Sequence, residues 1–298
     1  MQNSKMRVLI GGGTGFIGKH IARKLADKGH EVTLLSRSTG RGRLTWDELY
    51  KKGLPDNTGA VVNVAGENAL NMFRRGEAYK KDIITSRVDT TKALAEAITA
   101  SKNPPKVFVS TSAIGYYPPS SVADYTEDTK VTGIDFPSKL CQDWEEAAVL
   151  PEGKGVRRVT IRLGVVLGKD GGAIKQMWWQ FYFGAGGKIG TGRQFFPWIH
   201  IDDASGLFVY SIENDHVSGI LNAVAPQICT NEEFTKAFAG AMRRPAFMPF
   251  PAFAANLIFQ DRATMLLDGQ KVIPKRTLEL GYKFKYSHLD DACKEIVS

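Results

Sequence analysis

The sequence predicts an α/β fold: a doubly wound parallel sheet with helices on both faces and a smaller C-terminal lobe. Three observations carry this. Strand-like apolar runs alternate with helix-like stretches from residue 6 to residue 166, a glycine-rich turn joins the first strand to the first helix, and the regularity loosens after Gly168. Alternation of that kind marks a sheet covered on both sides. A soft boundary near 168 separates a first domain, residues 1–168, from a lobe of segments over 169–298 that partly returns to it.

The elements follow in order. Residues 6–10 are the first strand, and Phe16, Ile17, Ile21, Ala22 and Leu25 then recur at helical spacing until Gly29. Residues 31–36 form a second strand, with a short strand at 44–46 and a short helix from Asp47 behind it. Residues 60–65 are a fourth strand, and 81–101 read as one helix burying Ile84, Val88, Leu94 and Ile98. A fifth strand over 107–109, a helix over 138–149 and a sixth strand over 159–166 complete the pattern. Beyond it lie two aromatic segments, 177–183 and 195–198, and an apolar stretch over 247–259. The aromatic segments read either as core or as a substrate wall, and the stretch as a seam or self-association surface.

Gly12, Gly15 and Gly18 sit three apart between that strand and that helix. The first permits the turn, the second lets backbone approach a pyrophosphate, and the third lets helix and strand pack closely. The open N–H groups and positive dipole of the helix start favour phosphate. This is a Rossmann-like dinucleotide site. The second strand ends in Ser36 and Arg37, with no acid until Asp47. NAD sites place an acid there for the ribose hydroxyl, whereas an arginine suits a 2′-phosphate, so the cofactor read from these residues is NADP. Arg41 and Arg43 stand close enough in sequence to assist.

The whole chain bounds the alternatives. Its 298 residues are 43% apolar, enough for a full core, with no run of 18 apolar residues to span a membrane. Three scattered cysteines and five scattered histidines show no metal spacing and imply a reducing compartment, with cytoplasm expected and mitochondria as the alternative. The net charge of +8 is concentrated early: residues 1–45 hold nine Lys or Arg against two acids. An anionic cofactor accounts for that excess more simply than a polynucleotide, so no nucleic-acid partner is expected. A monomer or homodimer acting on a small molecule is expected.

Further segments resemble the extended short-chain dehydrogenase/reductases, a group that includes the sugar-nucleotide epimerases. Residues 11–18, GGGTGFIG, are similar to that group's glycine turn; 63–67, NVAGE, to its fourth-strand segment; and 107–117, VFVSTSAIGYY, to its fifth strand. RLGVVLG at 162–168, IHIDD at 199–203 and Asn222-Ala223-Val224 resemble later motifs. Ser86-Arg87, Trp144-Glu145, QFFPWIH at 194–200 and QKVIPKRTLELGY at 270–282 resemble its atypical epimerase-family branch, which includes the family 39U members. The resemblance covers essentially the whole chain and implies NADP(H) binding with no assigned substrate. It implies pyrophosphate contacts at Gly12, Thr14, Gly15, Phe16 and Ile17, adenosine contacts at Ser36 and Arg37, and ribose contacts at Val64, Ala65 and Gly66. Val166 would sit beside the nicotinamide, and Asp82 and Arg87 are either nucleotide contacts or plain surface charge.

The group moves a proton through a Tyr-x-x-x-Lys pair assisted by a Ser or Thr. Ser112 fills the serine position and Lys139 the lysine position, but Asp135 stands where the tyrosine would be. None of the nine tyrosines has a lysine four residues later. Asp135 beside the Lys139 ammonium would stay ionised, and Tyr116 or Tyr117 would serve as packing or as a substitute acid. Two functions follow: an NADP(H)-dependent oxidoreductase or epimerase-like enzyme, or a non-catalytic NADP(H)-binding sensor.

Overall fold

The computed structural model describes residues 5–71, 73–74 and 76–298. β1 (Arg7–Gly11) runs into the glycine turn and α1 (Phe16–Asp27), followed by β2 (Glu31–Ser36), β3 (Arg43–Thr45), α2 (Trp46–Lys52) and β4 (Thr58–Asn63). α3 (Gly76–Thr85), α4 (Val88–Ala100), β5 (Val107–Ala113), β6 (Asp124–Tyr125), α5 (Phe136–Ala147) and β7 (Arg157–Leu163) come next. β8 (Val165–Leu167), α6 (Gly172–Tyr182), β9 (Trp198–His200), α7 (Ile201–Glu213) and β10 (Gly219–Ala223) lead to α8 (Asn231–Met242) and α9 (Ala252–Phe259). α10 (Thr264–Leu267), β11 (Lys271–Val272), α11 (Lys275–Glu279) and α12 (Leu289–Val297) end the chain.

Seven strands form one sheet in the order β10-β7-β5-β4-β1-β2-β3, all paired parallel. Val8, Leu9 and Ile10 of β1 are wholly buried although successive side chains point to opposite faces, so helices cover the sheet on both sides. Strand order reverses at β1, which lies between β2 and β4. The carboxyl end of β1 is therefore the switch point, where ligands bind in such sheets.

The strands and most helices lie within a few residues of expectation, and two breaks in expected elements have physical causes. The helix expected over 81–101 is two helices. Arg87 N–H reaches Ile84 O, three residues back, and the Arg87 side chain donates to Ile83 O, which closes α3 before α4 begins. Ile83 is buried in place of Ile84, which is 37% exposed. The expected sixth strand divides at Gly164: β7 stays in the main sheet and β8 leaves it to pair with β9. The chain beyond 168 does return to the first layer, because β10 pairs with β7 and α7 packs on α1.

Part of each aromatic segment forms core. Phe181 and Trp178 meet Phe238 edge to face, and Phe196 stacks on Phe234 at 4.4 Å, in a second hydrophobic cluster. Trp179 and Phe183 of that segment are exposed instead. The early basic excess is also partly consumed within the fold, since Lys24 pairs with Asp202 and Lys28 with Glu213.

Candidate functional site

The β1–α1 turn holds its geometry for steric reasons. Gly12 has φ +76°, and a Cβ there would lie 2.6 Å from Ala65 N. A Cβ on Gly18 would lie 2.3 Å from Gly12 O, so helix and turn touch only because it is glycine. α1 starts at Gly15 with no side-chain cap and no acid in its first turn. Its free N–H groups are left for an anion.

A groove of about 690 Å³ opens over this turn. Gly12, Thr14, Gly15, Ser36, Arg37, Val64, Ala65, Gly66 and Asp82 all line it. Ser36 spends its hydroxyl locally, donating to Ser38 O and accepting from Ser38 N–H. Arg37 is exposed and makes no ion pair among the described residues. Asp82 is bound already, 2.6 Å from Arg74, which also faces Glu67 at 3.5 Å. Phe16 sends its ring away from the groove onto Gly168, Gly171 and Gly172, leaving only its backbone near the turn.

A second, smaller cleft of about 310 Å³ lies beyond, and its lining is mostly apolar. Ile17, Val166 and Ser112 line it, as do Cys141, Trp144 and Gln270, which the sequence reading did not single out as site residues. Ser112 is fully buried and its hydroxyl has no hydrogen-bond partner of good geometry. The adjacent Cys141 thiol is driven up to about 12 by burial, so it stays protonated at neutral pH. Gln270 Nε2 donates to Tyr117 O at 2.9 Å and ties β11's approach to this cleft.

Comparisons with known proteins give the family. The NAD dependent epimerase/dehydratase family matches residues 8–223, and a domain of unknown function, DUF1731, matches 250–296. The chain belongs to the NAD dependent epimerase/dehydratase family. Mouse epimerase family protein SDR39U1 is 50% identical over 295 residues, covering 98% of this chain and all of the relative. Epimerase family protein YfhF of Bacillus subtilis is 33% identical, covering 98% of each chain. The crystal structure of human SDR39U1 (isoform 2) with NADPH superposes with TM-score 0.96 at 50% identity, covering 98% of this chain and 99% of that one. UDP-N-acetylglucosamine 4-epimerase of Bacillus cereus, 17% identical with TM-score 0.77 over 98% of each chain, shares the fold.

Against the family's proton relay, this member departs in two ways. Lys139 is exposed and does not line the cleft. Pro137, Leu140, Cys141 and Trp144 are the face of α5 that does, and Lys139 lies outside it, about 100° round the helix from Leu140. Asp135 lines the cleft but makes no ion pair with Lys139. Its carboxylate caps α5, accepting from Ser138 N–H at 2.9 Å and from the Ser138 hydroxyl. The expected ammonium–carboxylate neighbourhood is absent.

The two candidate tyrosines are occupied. Tyr117 is fully buried; its hydroxyl accepts from Arg162 at 2.8 Å and has Asn222 Oδ1 and Thr126 O as acceptors at 2.9 Å. Burial holds its phenol above the ordinary range. The Arg162 guanidinium lies 3.4 Å over the Tyr116 ring while binding Glu145 through two nitrogens. Both read as packing. Arg87 is the other departure from expectation: it lines the small cleft rather than the nucleotide groove, because the break between α3 and α4 turns it inward.

Proposed function

We propose that the protein is an NADP(H)-dependent oxidoreductase or epimerase-like enzyme acting on a small molecule, with proton transfer that bypasses a Tyr-Lys pair. The observation that carries this is the pair of adjoining clefts: a groove with unpaired Arg37 at one end, and beyond Ile17 and Val166 a cleft lined by buried Ser112, whose hydroxyl has no oxygen or nitrogen partner among the described residues. The NADPH in the human relative's crystal supports the cofactor. When bound, it supplies hydride. The residues of this chain do the rest: the glycine turn and α1 hold the pyrophosphate, Arg37 takes the 2′-phosphate, and Val64 to Gly66 border the ribose. Ser112 offers its hydroxyl to a substrate oxygen. Residues 1–168 form the cofactor domain, and 169–298 supply substrate-lobe segments and a C-terminal tail that partly return to that domain. Among the described residues no helix is long and apolar enough to cross a membrane. We read a cytoplasmic monomer or homodimer; an Arabidopsis relative named chloroplastic supports an organelle as the alternative.

Loss of a positioned proton donor costs typically ~10²–10⁴-fold in rate. We therefore expect tight NADPH binding with weak turnover on ordinary ketones and sugar nucleotides. The test is to titrate NADPH into the purified protein and follow absorbance of the reduced cofactor across a carbonyl panel. Gly15→Asp sets a carboxylate against the pyrophosphate and should abolish binding; unchanged affinity in a folded variant removes the groove as the site. Robust activity surviving Ser112→Ala removes the reading of the small cleft. Tyr116 and Tyr117 being tied to Arg162 favours a second reading, a cofactor-binding sensor without turnover, which the absence of any activity in the panel would support.

A further inference from the structure

We infer that the small cleft binds a short organic acid: its carboxylate on Arg87, a neighbouring carbonyl or hydroxyl oxygen on Ser112, and its aliphatic chain against Leu70, Phe136, Trp144 and Met265. This deepens the reading of that cleft as the substrate site and rests on it.

Three observations lead there. The first is the state of Arg87. Its guanidinium donates to two backbone carbonyls, Ile83 O at 3.1 Å and Glu67 O at 2.9 Å, and no carboxylate lies within ion-pair distance among the described residues. A guanidinium carries five N–H donors, so donors remain beyond those two bonds. Its centre lies 5.3 Å from the Trp144 ring, which holds the plane without neutralising the charge. Burying an unpaired cation is costly, and that cost is recovered when an anion arrives.

The second is Ser112, fully buried and lining the same cleft, whose hydroxyl has the Cys141 thiol beside it and, among the described residues, no oxygen or nitrogen partner. A thiol is a weak hydrogen-bond partner, so a ligand oxygen would serve that buried hydroxyl better. Asp135, the one carboxylate among the described residues of the lining, accepts from the Ser138 N–H and hydroxyl at the start of α5. The cleft therefore presents a guanidinium with donors to spare and a hydroxyl whose neighbour is a weak thiol partner.

The third is size and polarity. About 310 Å³ is at the bottom of the range for ligand sites. A nicotinamide entering past Val166 takes part of it. What is left suits a few carbon atoms. The remaining walls are hydrocarbon and aromatic, so the body of the ligand is apolar.

The test is calorimetric titration of the NADP⁺-loaded full chain with α-ketoisocaproate and, separately, with methyl isobutyl ketone. The two probes share carbonyl and chain and differ only in the carboxylate. The acid should bind at least tenfold tighter than the ketone. With NADP⁺ saturating for each variant, Arg87→Gln should erase that preference, and Arg87→Lys should restore part of it. Equal affinities, no binding of either probe, or a preference that survives Arg87→Gln overturns the inference. If Arg87→Gln does not fold, the wild-type comparison of acid with ketone decides alone. If NADP⁺ itself fails to bind, the cofactor reading falls, and the same two titrations on the cofactor-free chain still decide the anion site.

Discussion

Arg37 shows what one residue can determine. It ends β2 exposed, with no acid partner, at the edge of the groove that the glycine turn floors. Only NADPH offers it a 2′-phosphate, so Arg37→Ala should weaken NADPH by ~1.5–3 kcal/mol and leave NADH nearly unchanged. Fluorescence titration of both cofactors measures this; equal losses would mean that Arg37 acts structurally. Gly12 and Gly18 were legible in the sequence because what they do follows from backbone geometry, and the place of Arg37 was legible because it follows a strand end. Lys139 and Arg87 were not. Which way their side chains point depends on where α5 starts and where α3 stops, and hydrogen bonds to Asp135, Ile83 and Glu67 set both.

At the scale of an element, α5 is the instructive case. Spacing located a helix, yet its start shifted two residues because Asp135 and Ser138 form a reciprocal capping box with Pro137 in the first turn. Asp135→Ala should lower stability by about 0.5–2 kcal/mol, read as a shift in denaturation midpoint. Asp135→Tyr loses the same cap and should not restore carbonyl reduction, since Lys139 is off the cleft face. The α3–α4 break was missed for a related reason: apolar residues keep helical spacing across 81–101, and the interruption is fixed by Arg87 reaching across to the Glu67 carbonyl. Periodicity reports local preference, and a contact made across twenty residues overrides it.

Across the whole molecule, the C-terminal segment acts on sites far from it in sequence. α12 is tied to β9 by His200, whose Nε2 lies 2.8 Å from Glu295. Burial holds the His200 imidazole below its usual value of 6.5 despite that carboxylate. The unfolded chain therefore takes up a proton there more readily than the fold does. Stability should fall as pH drops below about 6.5, and His200→Gln should flatten that slope in denaturation curves between pH 7 and pH 5. Arg262 reaches further. It is 3% exposed and donates to Ala69 O at 2.8 Å and Arg74 O at 3.0 Å, while its charge lies 4.8 Å from the Tyr79 ring. Those carbonyls belong to the chain between β4 and α3, whose Glu67 and Arg74 line the nucleotide groove and whose Ala69 and Leu70 line the small cleft. One buried side chain from beyond α9 thus holds the wall shared by both sites. Arg262→Met keeps the bulk but leaves two carbonyls without donors, each such bond from a charged group contributing roughly 1.5–3 kcal/mol. We expect the folded variant to bind NADPH more weakly although Arg262 lines neither the groove nor the cleft. NADPH affinity equal to wild type, in a variant whose melting temperature has dropped, would show that the strap stabilises the fold without shaping the site.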